Sequence, residues 1–293
     1  MAFVCSLCPR RCGALRTETE GHGFCRMPAT PVLARAALHF GEEPCLSGGG
    51  GSGTVFFSGC PLRCGFCQNH EISRAPVGKA VSSSRLADIF RELVAQGASN
   101  INLVNPTHYA KVIREALALY RPPVPVVYNS GGYERVETLR SLEGLVDVYL
   151  PDLKYVSPAL AGALSGASDY PDFACAAVLE MARQTGPAQV DQRGLLTRGT
   201  MVRHLVLPGH TAQSIAVIDW LSAHLPHGSL VSLLFQYTPM DAVDGFPELS
   251  RRLTKRECDK VWQHLANTTL EGYVQDRESA GTEMIPHFDM TGV

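Results

Sequence analysis

The sequence predicts an α/β fold, with strands in one parallel sheet and helices between them. Three observations predict it. Six short runs rich in β-branched and aromatic residues recur, at 54–58, 101–104, 124–128, 146–150, 201–207 and 230–235. Longer segments with helical periodicity separate them, the alternation that parallel βαβ units require. Each run also ends in glycine or polar residues while its body is apolar, which gathers the chemistry at the C-terminal rim of the sheet. Six such units close as a partial (β/α)6 barrel of the TIM-like kind. A chain of 293 residues, 45% of them hydrophobic, can bury the core this needs.

Residues 1–53 form a cysteine-rich, metal-binding extension and a lead-in to the barrel. Cys5, Cys8, Cys12 and Cys25 can close a metal site completely. Their spacing leaves open an auxiliary iron–sulfur cluster and a zinc or rubredoxin-like clasp. With four sulfurs available, His22 reads as a turn residue. Val32–Phe40 is a strand or a short helix. Glu42-Glu43-Pro44-Cys45 follows, with Glu43 and Cys45 either near the metal loop described below or in an ordinary turn. The glycine run at 48–53 lacks the Lys-Ser/Thr of a phosphate loop, so it reads as a lead into the first strand.

The barrel is expected over 54–240. Gly59 breaks the first strand and places Cys60, Cys64 and Cys67 on the loop behind it. Ser82–Ser84 can cap a helix with Leu86, Ile89, Phe90, Leu93 and Val94 in one stripe, ended by Gly97. The second strand runs into Asn105-Pro106-Thr107-His108. The next helix puts Val112, Ile113, Ala116 and Leu117 on one face before Pro122-Pro123. The third strand ends in Asn129-Ser130-Gly131-Gly132, and a short helix follows over Glu134–Leu142. The fourth ends in Pro151-Asp152-Leu153-Lys154. A less regular stretch, Tyr155–Tyr170, precedes a helix over Phe173–Gln184. The fifth strand ends in Pro208-Gly209-His210, with Thr211 or Ser214 as cap of a helix through Leu221. The sixth ends in Gln236-Tyr237-Thr238-Pro239. Residues 241–293 are expected to pack on the barrel. Thr254 to Glu257 is a capping box that opens a helix, and the tail after Gly272 adds a short strand and turns irregular.

Net charge is −2, so no global field favours nucleic acid or an anionic membrane. The basic run Arg251, Arg252, Lys255, Arg256 reads as a solvated face. No stretch reaches membrane-spanning length and the N-terminus has no apolar signal region, so a cytoplasmic location with reduced thiols is expected. Clustered cysteines in such a compartment point to metal. Cys175 and Cys258 lie in apolar helical patterns and read as small core residues.

Cys60, Cys64 and Cys67 are spaced C-x3-C-x2-C. Three thiolates can anchor three irons of a cubane and leave the fourth open. An open coordination position separates a metal site that does chemistry from one that holds structure. A zinc knuckle would need a second pair of ligands, which this stretch lacks. A strand ending in Gly-Cys, this spacing, Phe66 before the last cysteine and Gln68-Asn69 after it resemble the radical S-adenosylmethionine (SAM) enzymes. The branch most similar is that of pyruvate formate-lyase activating enzyme, a subgroup of which also opens with four cysteines. The resemblance covers nearly all of Thr54–Pro239. It implies a 4Fe–4S cluster on Cys60, Cys64 and Cys67, SAM on the open iron, and reductive cleavage to a 5′-deoxyadenosyl radical.

The resemblance also carries site residues. Asn129-Ser130-Gly131 loosely matches the family's Asn-Gly beside SAM, and Asp152-Leu153-Lys154 matches its Asp-Leu-Lys in full. Asp152 and Lys154 are implied to grip polar groups of SAM, and a lysine beside a carboxylate is a sensible point-charge clamp. Arg203, Val206, Pro208 and Gly209 resemble the Arg-x-x-Val-x-Pro-Gly of the fifth strand. Arg203 and His204 alternate about that strand, so one of them faces inward. The chain departs from the family twice. Asn105-Pro106-Thr107-His108 replaces Gly-Gly-Glu, making Asn105, Thr107 and His108 substitute SAM contacts or substrate groups, with a helix-capping role as the alternative for His108. Gln236-Tyr237-Thr238 stands where the activating enzyme has Tyr-His, which leaves Gln236 as the cofactor-binding candidate there.

The expected function is hydrogen abstraction from a substrate, either a glycyl radical enzyme activated by this chain or a small molecule, peptide or RNA. Neutral net charge argues against RNA. The reading from another class is a non-catalytic iron–sulfur or zinc protein serving interaction or electron transfer. Asp152 and Lys154 beside the three-cysteine loop argue against it. A low-potential cluster implies a flavodoxin- or ferredoxin-type electron donor.

Overall fold

The computed structural model describes residues 2–240, 243, 245–275, 281 and 286–293. Two short strands, β1 (Phe3–Val4) and β2 (Leu15–Arg16), pair antiparallel and frame the first three cysteines. The ambiguous stretch after them is a strand, β3 (Val32–His39). A one-turn helix, α1 (Pro44–Ser47), and the glycine run lead into β4 (Ser52–Phe57), which is buried throughout. The three-cysteine loop follows, then α2 (His70–Arg74), β5 (Lys79–Ala80) and α3 (Ser83–Ala95). Ser82 caps α3, its side chain accepting from the Arg85 amide, and the helix buries Leu86, Ala87, Ile89, Phe90 and Leu93.

The βα alternation continues through β6 (Ile101–Val104), α4 (Ala110–Leu119), β7 (Val126–Ser130), α5 (Val136–Arg140) and β8 (Val148–Pro151). The stretch expected to be irregular contains a helix, α6 (Pro158–Ser165). Ser157 caps it and Pro158 occupies its first turn, where a missing N–H costs nothing. Then come α7 (Tyr170–Thr185), β9 (Gln189–Val190), β10 (Leu196–Leu205), α8 (Thr211–His224), β11 (Leu230–Leu234), α9 (Lys255–Ala266) and β12 (Glu271–Gln275). Neither Thr211 nor Ser214 caps α8; His210 occupies that position without a side-chain bond. The capping box at Thr254 and Glu257 forms as expected. Of the expected tail, 276–280 and 282–285 lie outside the described residues.

The main sheet runs β12-β11-β10-β8-β7-β6-β4-β3-β5. All pairs from β4 to β12 along it are parallel. At the other edge β3 is antiparallel to β4, and β5 to β3. The result is a partial barrel, open between its edges, with one more parallel strand than the six expected. The added strand β12 depends on Gly272: its φ is 148°, and a Cβ there would lie 1.9 Å from the Val231 carbonyl oxygen. Among the described residues no helix is long and apolar enough to cross a membrane.

Packing of α3 against β3, β4 and β6 makes one core region, with Phe90 fully buried among Phe57, Leu86, Leu103 and their neighbours. Phe90→Ala is expected to cost about 3–5 kcal/mol in chemical denaturation, from lost burial and the cavity left behind. A loss below about 1 kcal/mol would show that this helix face is not part of the core.

Candidate active site

The C-terminal ends of the parallel strands surround a cavity of about 570 Å³, the size range of cofactor and small-ligand sites. Cys60, Cys64, Phe66 and Cys67 line it from the loop after β4. Asn105 after β6, Asn129 and Ser130 at the end of β7, and Asp152 and Lys154 after β8 line it as well. Arg203 on β10 and Gln236 after β11 complete the ring. The cavity thus brings together eight of the residues that the resemblance or its departures singled out: Phe66, Asn105, Asn129, Ser130, Asp152, Lys154, Arg203 and Gln236.

Each sulfur of the loop has a polar neighbour. The Leu62 amide donates to Cys60 Sγ at 3.4 Å, Ser165 Oγ lies 3.0 Å from Cys64 Sγ, and Ser73 Oγ donates to Cys67 Sγ at 3.7 Å. Burial pushes the Cys60 thiol up, and the neighbouring Cys64 adds to it. Burial raises Cys64 as well, opposed by the Lys154 ammonium. Such thiols become thiolates when a metal takes the proton's place. Among the described residues no three His, Cys, Asp or Glu side chains converge on one ion. Three cysteines on one loop, each sulfur with a hydrogen-bonding neighbour, could hold three irons of a cluster and leave the fourth open.

Lys154 Nζ donates to Asp152 Oδ2 at 2.5 Å. Burial works against the ammonium, but Asp152 and the sulfur of Cys64 outweigh it and the lysine pKa is raised. Lys154 therefore remains a cation in a mostly enclosed site. Arg203 is held differently. Its Nε donates to Glu43 Oε1 at 2.9 Å, and its Nη2 donates to both Glu42 and Glu43. Burial opposes the charges of Arg203 and Glu43, and their mutual attraction restores them: Arg203 is raised and Glu43 lowered. Glu43 thus belongs to the cavity wall, whereas Cys45 is buried outside it against Tyr273. His204, on the opposite face of β10, is 2% exposed and bonds the Leu153 carbonyl through Nδ1 at 2.7 Å. Burial holds its pKa down to about 4, so the ring is neutral.

Two expected site residues lie elsewhere. Thr107 and His108 do not line the cavity, because the chain turns at Asn105 (φ 59°) into a 3-10 turn that carries both under the rim. Thr107 Oγ1 donates to Glu134 Oε1 at 2.5 Å, and His108 Nε2 bonds the Ser58 carbonyl at 2.7 Å. Burial and the nearby Arg16 hold His108 down to about 3, so it is a neutral donor to a backbone oxygen. Asn105 alone of that segment reaches the cavity, with its side-chain amide donating to the Gly59 carbonyl.

Sequence reasoning passed over two residues beneath the rim. Tyr170 is fully buried; its one hydroxyl proton is shared between the carbonyls of Gly131 (2.9 Å) and Asp152 (2.8 Å), and its oxygen accepts from the Lys154 amide (3.0 Å). It ties the ends of β7 and β8 at the cofactor candidates. Glu134 is buried against Thr107 and Tyr128. Burial raises its carboxyl to about 7, against the pull of hydrogen bonds from Thr107, Ser130 and Tyr128. Neither residue carried a sequence signal beyond its position just past a strand end or at a helix start.

Tyr170→Phe should leave two carbonyls and an amide without their shared partner, costing about 1–3 kcal/mol of stability. Isothermal titration should show weakened binding of SAM as well; unchanged affinity would reduce Tyr170 to a core residue. For Glu134, the folded chain holds a proton between pH 4.5 and 7 that the unfolded chain releases. Its stabilising contribution is therefore full below about pH 4.5 and is lost as pH rises through 7. Glu134→Gln should flatten the fall of Tm across that window; an unaltered slope would mean that Glu134 is ionised.

Residues 46–147 match the family described as 4Fe-4S single cluster domain, a span that includes the three-cysteine loop, Asn105, Asn129 and Ser130. The uncharacterized protein MJ0674 of Methanocaldococcus jannaschii is 32% identical over 268 residues, 88% of this chain and 72% of that protein. The structure of SuiB from Streptococcus suis bound to S-adenosylmethionine matches with a TM-score of 0.54 and 14% identity, over 74% of this chain and 48% of that one. This chain thus spans about half the length of SuiB. A radical SAM methyltransferase from Sphaerobacter thermophilus matches with a TM-score of 0.53 and 15% identity, over 76% of this chain and 65% of that one. The likeness to these two structures is one of fold; the cysteine loop at the rim and the match over 46–147 add the metal site. This chain belongs to the same family as MJ0674, and it shares the fold of these radical SAM enzymes.

Proposed function

We propose that the chain is a radical SAM iron–sulfur enzyme that cleaves SAM reductively and abstracts hydrogen from a substrate in the same cavity. The observation that carries this is that Cys60, Cys64 and Cys67 line one cavity together with Asp152 and Lys154. Cys60, Cys64 and Cys67 would hold the 4Fe–4S cluster, which would supply the single electron for reductive cleavage of SAM. The protein's own residues do the positioning. Lys154 offers a fixed positive charge to the carboxylate of SAM, and Asp152 offers an acceptor to its ammonium or hydroxyls. Asn129, Ser130 and Gln236 supply neutral donors and acceptors around the rest. Phe66 is 6% exposed and packs edge-on to Tyr155, which keeps water from the cluster side. Arg203 is already engaged by two carboxylates, so it shapes the far wall.

Two substrate readings remain, an activase for a glycyl radical enzyme and an enzyme for a compact substrate. One observation favours the second. His39, Glu42 and Glu43 from the lead-in, with Tyr273 and Gln275 of β12, wall the cavity beyond Arg203. An entering loop of a folded partner has less room there than a small molecule or a peptide side chain. The electron donor in either case is a flavodoxin- or ferredoxin-type carrier.

Anaerobically reconstituted protein with SAM and dithionite should form 5′-deoxyadenosine, and Cys60→Ala/Cys64→Ala/Cys67→Ala should form none. Product from that triple variant would sink the proposal. Lys154→Ala should raise the KM for SAM at least about tenfold, the loss of one charge-assisted hydrogen bond. For the substrate, a glycyl doublet in electron paramagnetic resonance with a candidate partner would establish the activase. Deuterium transfer from a small molecule or peptide into 5′-deoxyadenosine would establish the compact-substrate reading.

A further inference from the structure

We propose that Cys5, Cys8, Cys12 and Cys25 hold a second iron–sulfur cluster, which passes electrons singly from a low-potential carrier protein to the cluster at Cys60, Cys64 and Cys67. The relay rests on the function proposed above; the metal site stands without it.

A missing anion points to the site. Arg16 is 2% exposed. Its guanidinium donates to the carbonyls of Pro28 and His108, and to Cys5 Sγ at 3.7 Å. It stacks against Tyr109 and Phe3. No carboxylate pairs with it among the described residues, in contrast to Arg203 with its two glutamates. A buried guanidinium needs a compensating negative charge. Four cysteine thiolates on a metal centre beside Cys5 supply it.

The backbone is shaped for such a centre. Cys8 and Cys25 each lie in electrostatic reach of Cys5 and, between them, of Cys12. Arg11, next to Cys12, and Arg26, next to Cys25, have positive φ (41° and 59°). Their amides close turns onto the carbonyls of Cys8 (3.1 Å) and Gly23 (3.0 Å). A Cβ at Gly23 would lie 2.9 Å from Cys12 Sγ, so glycine there leaves room for that sulfur against the turn carrying Cys25. Four thiolates could hold either a multi-iron cluster or a tetrahedral zinc; we take the cluster, and metal content decides between them.

Position assigns the role. None of the four cysteines lines the cavity, so a cluster there cannot touch substrate. Instead the module is seated on the back of the first cluster's loop. Gly59, immediately before Cys60, is pressed against the Cys25 carbonyl and Met27. Arg10 Nε donates to the Pro61 carbonyl at 2.7 Å, and Arg63 donates to the Phe24 carbonyl at 3.2 Å. On the outer side Arg11, Cys12 and Arg26 are exposed, which gives a carrier access. One electron leaves the reduced carrier, reduces the second cluster, and moves on to the first, reoxidising the second; no bond or proton changes place.

Three measurements on the full chain test this. In Cys60→Ala/Cys64→Ala/Cys67→Ala, which keeps the N-terminal module, about four irons and four sulfides per chain are expected. Zinc in place of iron, or no metal, would overturn the site. In the wild-type protein with both clusters reduced, paramagnetic resonance should show signals broadened by mutual dipolar coupling, against the sharp signal of the triple variant. Two independent, additive spectra would overturn the relay while leaving the site. Finally, Cys12→Ser should lower the ratio of flavodoxin-driven to dithionite-driven SAM cleavage at least tenfold. An unchanged ratio would also overturn the relay. If wild-type protein cleaves no SAM at all, the proposed function fails, and the iron content still decides the second cluster.

Discussion

The structure depends on a close approach at Gly59. The residue follows β4, two positions past Phe57, with φ 78°, and a Cβ on it would lie 2.3 Å from Met27 Cγ and 3.0 Å from the Cys25 carbonyl oxygen. Its amide donates to the Ile72 carbonyl at 2.8 Å and its carbonyl accepts the Asn105 amide. Four pieces of chain therefore meet at one glycine: the N-terminal module, the first barrel strand, the helix after the cysteine loop and the end of β6. Only glycine gives up both the side chain and the conformational penalty at this place. Cys60 follows directly, so the position of the first metal-binding sulfur is set by how tightly the module lies behind it.

Buried charge organises what surrounds this point. Arg203 and Arg16 are both buried, yet the chain treats them differently. Arg203 has two glutamates contributed by the lead-in, and the trio welds that segment to the barrel wall. Arg16 has backbone carbonyls, aromatic rings and a cysteine. Among the described residues Arg16 has no carboxylate partner, and the proposed N-terminal metal centre would supply the missing negative charge. The buried imidazoles His108 and His204 avoid the difficulty by remaining neutral and bonding backbone carbonyls.

The fold was legible because its signals are local. Ser82 and the Thr254–Glu257 box announced helix starts, and β-branched runs announced strands. The site was legible where residues sit at strand ends, since topology carries those to one rim: Asn129, Ser130, Asp152, Lys154 and Gln236 all line the cavity. It failed at Thr107 and His108, where a left-handed Asn105 reverses the chain; an L-residue in that conformation leaves no reliable trace in sequence. It failed also at Tyr170, whose partners Gly131 and Asp152 are 39 and 18 residues away in sequence. Residues that support a site through long-range backbone contacts share no pattern with the residues they support. The helix α6 was missed for a different reason: its eight residues are small and apolar, with no stripe to betray periodicity, although Ser157-Pro158 marks its start.

The charges left in the cavity are few and unequal. Lys154 and Arg203 face Asp152, Glu42 and Glu43, so the side chains there carry one more negative charge than positive, while buried Glu134 lies below the rim and outside the lining. An excess of negative charge in a partly enclosed, low-dielectric space attracts a cation more strongly than the same groups would in water. A sulfonium is such a cation, and its amino-acid carboxylate needs the one local exception, which Lys154 provides at the end of β8. Because Arg203 is spent on its glutamates, that lysine has no competitor for the carboxylate among the cations lining the wall. For the proposed function, charge then favours one orientation of SAM: carboxylate toward Lys154, sulfonium toward the cysteine loop, and the remaining volume left for whatever loses its hydrogen.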